Sequence, residues 1–142
     1  FQIRGHSAFH SSLLDHCVPL ARQQLGSDLV DTPKIPLIDG LGNVWNPFGT
    51  DATDLYDYTL GRQINETYDF SKAIQNAAKE FAPDVFIVLG PGTTIGAPVA
   101  QSLIAMNWDG IDSKETFKTR QEDKPIVLSM GIFDQRQKVI KG

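Results

Sequence analysis

The stretch Ser7-Ala8-Phe9-His10-Ser11-Ser12-Leu13-Leu14 sets a histidine between an aromatic ring and two small hydroxyls, at the mouth of an apolar segment. A neutral imidazole in such a place suits a general base, provided that a hydroxyl comes within hydrogen-bond reach. Taken alone, a histidine in this setting is more often structural. Gly5-His6-Ser7-Ala8-Phe9 copies the nucleophile elbow Gly-x-Ser-x-Gly but ends in Phe9. The strained turn that exposes such a serine leaves no room for that side chain, so Ser7 is a poor nucleophile. His6 and His10 have the spacing of residues on one helix face, and His16 offers a third nitrogen. The zinc signature His-Glu-x-x-His needs glutamate where Ser7 stands, so no metal site is expected. Gly90-Pro91-Gly92-Thr93-Thr94-Ile95-Gly96 leads into a helix and could present N–H groups to an anion. It misses the dinucleotide fingerprint, because Ile95 takes the third glycine's place and Pro91 lacks a donor.

The elements that would carry these residues alternate between strand and helix. Phe1-Gln2-Ile3 reads as a strand entered without a preceding turn, which suggests a fragment, a processed half or a partial chain. Ser11 to Leu25 reads as a helix that Pro19 should kink or delay. Ile35-Pro36-Leu37-Ile38 reads as an edge strand and 43–49 as turns. Helices follow over 51–64 and 71–81, the second with Ala73, Ile74, Ala77, Ala78 and Phe81 on one face. Val85 to Leu89 is continuously apolar, as in a central strand of a parallel sheet. A helix over 95–106, a polar loop or short helix over 114–124, a strand over 126–130 and a polar tail complete an α/β pattern.

Bulk properties narrow the partners. The chain has 142 residues, the size of one domain, and a net charge of −4. That charge argues against a nucleic-acid or anionic-membrane partner. No apolar run approaches the roughly 20 residues of a membrane span. A single cysteine, Cys17, excludes an internal disulfide and points to a reducing, cytoplasmic compartment. On its apolar helix face Cys17 is expected to be a buried structural thiol.

Three stretches, taken in order, resemble the malonyl-CoA:acyl carrier protein transacylases and the acyltransferase domains of fatty-acid and polyketide synthases. Ala8-Phe9-His10-Ser11-Ser12-Leu13-Leu14 is similar to the family's Ala-Phe-His-Ser-Pro-Leu-Met, whose histidine is catalytic. Arg62 to Phe70 resembles Arg-Gln-Leu-x-x-Pro-Val-x-Trp, departing from it at Thr67, Tyr68 and Phe70. Val88-Leu89-Gly90-Pro91-Gly92 resembles Glu-x-Gly-Pro-Gly, and Ile35 to Asp39 stands where the family has a Val-Pro-Val strand.

The resemblance covers residues 1–105 and implies the C-terminal half of a hydrolase-like core, a parallel sheet flanked by helices. Residues 1–5 would end a small ferredoxin-like subdomain, 6–106 belong to the large α/β subdomain, and 107–142 form a subfamily-specific extension. His10 would be the general base, steadied by the backbone carbonyl of Gln63 rather than by a carboxylate. Phe9, with Ser7 in the same motif, would face the substrate. Its ring would fill the space of an α-methyl group and so favour malonyl over methylmalonyl, a discrimination of about 1–3 kcal/mol. The nucleophilic serine, the oxyanion-hole glutamine and the carboxylate-binding arginine would lie on an N-terminal half, so this chain alone would be inactive. A coenzyme A thioester is the implied substrate, acyl carrier protein the acceptor, and no cofactor is bound. Two rival readings use the same residues. One is a small α/β module that binds a nucleotide or phosphate at Gly90–Gly96. The other is a docking domain with His10 buried.

Overall fold

The computed structural model describes residues 7–141, which form two compact units, one ending at Phe70 and one beginning at Ser71. The expected strand at Phe1 to Ile3, and His6, lie outside the described residues. The chain is mixed α/β with two small sheets, one of them parallel.

In the first unit, the 11–25 segment splits into a 3₁₀ turn (Ser12–Leu14) and helix α1 (Cys17–Gln24). Pro19 sits in the first turn of α1, where an N–H has no partner within the helix, so the proline delays the helix and leaves it intact. Strands β1 (Leu37–Ile38) and β2 (Val44–Trp45) pair antiparallel, Leu37 opposite Trp45 and Ile38 opposite Val44. Expected turns over 43–49 thus include a strand. Asp39 makes the hairpin possible. Its buried carboxylate accepts hydrogen bonds from the N–H groups of Leu41 and Asn43, from Asn43 Nδ2 and from Trp45 Nε1.

Helix α2 (Ala52–Asp57) starts at the Asp51 cap, whose side chain accepts from Thr53 N–H at 2.7 Å. It runs on through a π-helical turn (Tyr58–Arg62) into α3 (Gln63–Asn65). Few side chains close over this unit: Leu55 and Tyr58 are its buried large apolar residues, whereas α1 buries none. Leu13 is 73% exposed and Leu20 57%.

The second unit holds the larger core. Helix α4 (Phe70–Phe81) buries Ala73 and Ala78, but Phe81, expected on the same face, is half exposed. Strand β3 (Phe86–Val88) and strand β4 (Val127–Ser129) run parallel, covered by α5 (Gly96–Ala105), whose Val99, Ala100 and Leu103 are buried. Helix α6 (Lys114–Asp123) is opened by a Ser113–Thr116 capping box, and α7 (Phe133–Lys141) occupies the expected polar tail. Residues after Met106 therefore supply β4 to the sheet that β3 begins.

The two edges of this sheet differ. Val127 and Ser129 turn their outer polar groups toward side chains. Gln121 Nε2 donates to Val127 O, and Gln121 Oε1 accepts from Ile126 and Val127 N–H, each at 3.2 Å. Gln135 Oε1 accepts from Ser129 N–H at 2.7 Å, and Ile132 N–H donates to Ser129 O. The β4 edge is closed. On β3, Phe86 and Val88 bond inward, leaving the N–H and C=O of Ile87 to face away without a partner among the described residues. Ile87 is 44% exposed and Leu89 80%. The run expected at the centre of a sheet thus has a neighbour on one side only among the described residues.

Gln121→Leu should strand buried polar groups of Val127 and cost about 1–3 kcal/mol. Urea unfolding followed by Trp108, which lies in the same unit, should show the lower midpoint; an unchanged midpoint would deny Gln121 its sealing role.

Candidate active site

The end of α3 leaves carbonyls without helical partners, as every helix C-terminus does. Glu66 N–H takes that of Arg62 at 2.9 Å. The next two are both satisfied by one residue. His10 Nδ1 lies 2.6 Å from Gln63 O, and His10 N–H donates to Ile64 O at 2.9 Å. A carbonyl only accepts, so Nδ1 carries the proton of the neutral ring and Nε2 carries the lone pair. Nε2 bonds to no described group, and His10 is exposed. The backbone of His10 adopts φ +61°, a left-handed conformation uncommon outside glycine. Holding both its N–H and its ring against the helix end accounts for that cost.

Neighbouring bonds fix the two segments together. Ser11 Oγ donates to Ala8 O at 2.6 Å, and Asn65 Nδ2 donates to Asp15 at 2.9 Å. Arg62 pairs with Glu66 at 3.1 Å. The ring of Tyr68 lies 5.3 Å from the imidazole, its plane tilted by 35°. Around His10, the residues Gly40, Leu41, Tyr58, Gln63, Glu66 and Tyr68 line a dent with no internal volume for a water molecule. A thioester-sized cavity is not built by the described residues at this point.

Among the residues singled out from sequence, His10 and Gln63 come together. Phe9 is 63% exposed and Ser7 is exposed, and neither lines the dent. Cys17 is half-buried, not buried as expected, with Sγ 3.4 Å from His16 Nε2; α1 packs on the Tyr58–Arg62 turn and α3 but buries none of its residues fully. No three His, Cys, Asp or Glu side chains gather to hold a metal among the described residues. No helix there is long and apolar enough to cross a membrane. At the glycine-rich turn, Gly90 and Gly92 take φ of +113° and +81°, and α5 starts at Gly96. Thr93 and Gly96 line a cleft of about 600 Å³ in the second unit, with Lys114 and Lys118.

Sequence reasoning passed over Tyr68, Tyr58, Gly40 and Asp39. The departure of Tyr68 from the resembled motif was the available signal. Comparison with protein-family models, curated proteins and solved structures finds no match to the chain.

Burial raises the Tyr58 hydroxyl above the ordinary phenol pKa of 10.0; the Gly40 N–H it accepts opposes this and the Asp39 charge adds to it. Burial, then Asp39, raises Tyr68 in the same direction. A phenol whose folded value is raised contributes its stability below about pH 10 and loses it as pH climbs through the folded value. Stability should therefore fall above about pH 10, and Tyr58→Phe should reduce the drop in alkaline urea titrations. A drop of the same size in wild type and Tyr58→Phe would remove Tyr58 as a source.

Proposed function

We propose that this chain is the base-bearing part of an acyltransferase that moves a malonyl group from coenzyme A to the phosphopantetheine thiol of acyl carrier protein. The observation that carries this reading is the bond from His10 Nδ1 to Gln63 O, which leaves Nε2 of an exposed residue free to accept a proton. In the first half-reaction a serine oxygen, supplied by another segment, attacks the thioester carbonyl while its proton passes to His10 Nε2. The carbon–sulfur bond breaks, and the imidazolium returns the proton to the departing thiolate. The second half-reaction repeats these steps with the carrier thiol as attacking group and the serine as leaving group. The helix C-terminus beside the ring favours the positive charge held between the two transfers.

Other features agree with a site finished by a companion segment in a hydrolase-like core. His10 has no substrate-sized cavity of its own, and Leu13 and Leu20 of the same unit are exposed. Coenzyme A is substrate rather than cofactor in this reading, and the setting is cytoplasmic fatty-acid or polyketide synthesis. Phe9, exposed and next to His10 in the chain, would then meet the acyl group once the companion is in place.

The native polypeptide carrying this sequence should transfer labelled malonyl from malonyl-CoA to acyl carrier protein. His10→Ala should lower that transfer by about 10²–10⁴-fold. Full transfer in the variant would remove His10 from the role. A second reading, a phosphate-binding module, draws on Lys114 and Lys118 beside Thr93 and Gly96 in the second unit's cleft. Tight binding of NADP or ATP would favour it.

A further inference from the structure

His10 is tied by one ring nitrogen and its own backbone. A single ring bond leaves an exposed imidazole free to swing about the N–O line, and proton transfer needs Nε2 aimed at one place. A second contact is required, and Tyr68 supplies it. Its ring stands 5.3 Å from the imidazole and 6.2 Å from the ring of Phe70, so it is backed as well as placed.

Tyr68 can lie there because position 40 is glycine. A Cβ on Gly40 would stand 2.0 Å from Tyr68 Cδ2 and 2.5 Å from Cε2. Gly40 is not among the residues with positive φ, so it is needed for space and not for conformation. Nor can its backbone retreat. Gly40 N–H donates to Tyr58 Oη at 2.9 Å, and Gly40 O accepts from Asp69 N–H at 2.7 Å. On the other side Asp39 binds the hairpin loop through the bonds to Leu41, Asn43 and Trp45. Asp69 follows Tyr68 directly, so the bond to Gly40 fixes the chain beside the ring that covers it.

We propose that Tyr68 is a positioning residue for His10, seated on the space that Gly40 leaves open and held there by the Asp39 hairpin. The proposal rests on the acyltransferase reading and adds to it a residue at which this chain departs from the resembled motif, where valine stands. The aromatic face acts, not the hydroxyl. Phenylalanine should therefore serve and valine should not.

The test uses the native polypeptide, with transfer kinetics and the His10 ring-proton resonance read without substrate. Tyr68→Val should lower kcat by roughly 10- to 100-fold, with KM for malonyl-CoA held within about twofold. It should also move the His10 resonance downfield, as the tyrosine ring current is lost. Tyr68→Phe should restore both kcat and the resonance. Gly40→Ala should act as Tyr68→Val does, since it displaces the same ring; if it fails to fold, the tyrosine pair still decides. Tyr68→Val with wild-type kcat, an unmoved His10 resonance, or Tyr68→Phe as impaired as Tyr68→Val would each overturn the proposal. Undiminished transfer in His10→Ala would overturn the acyltransferase reading instead. A resonance that still moved in Tyr68→Val would then mark the ring contact as real but without a catalytic purpose.

Discussion

The helix that ends at Asn65 needs donors for its last carbonyls, and His10 provides two of them. This one arrangement ties a residue near the start of the chain to a helix end more than fifty positions later. It also settles the chemistry of the ring. The helix carbonyl forces the proton onto Nδ1, so Nε2 is the nitrogen left with the lone pair. A carboxylate in the same place would hold the tautomer equally well. The carbonyl does so without placing a full negative charge beside the imidazole, and the ending helix supplies part of that charge through its dipole.

Other parts of the first unit follow from keeping that helix end in place. The π-helical turn over Tyr58–Arg62 directly precedes Gln63, and such widened turns often mark functional positions. Tyr58 within it is buried and accepts the Gly40 N–H, so the helix also anchors the hairpin. The hairpin in turn is organised by a buried carboxylate whose bonds leave it well satisfied, which is the condition for burying such a group. Polar bonds, more than apolar packing, hold this region, since few large side chains close over it.

The sequence disclosed what depends on local pattern. Helical spacing located α4 and α5 within a residue or two, and the apolar run 85–89 located β3. The link between His10 and Gln63 was legible only through the resembled motifs, because nothing periodic connects residues so far apart. Contacts between loops were not legible at all. The seat of Tyr68 on Gly40 depends on the absence of a Cβ at one turn and on a ring twenty-eight residues later. Helix α7 lies where the sequence pattern suggests a polar tail, because its charged residues mask a helix that buries no side chain. Gln121 falls in the expected polar loop or short helix and Gln135 in the expected polar tail, yet their amides meet β4 as a neighbouring strand's backbone would.

That last substitution bears on how the second unit would grow. A parallel sheet can be extended only where backbone groups remain open. On β4 two glutamines occupy those groups, and a further strand there would have to displace bonds already made. On β3 the groups of Ile87 are open, and Ile87 and Leu89 expose apolar surface beside them. A run so uniformly apolar is costly at a solvated edge and ordinary in a sheet's interior. The two edges of this sheet therefore differ in how readily they could take a further strand. A strand added to this sheet would go to the β3 side, where its hydrogen bonds displace only water.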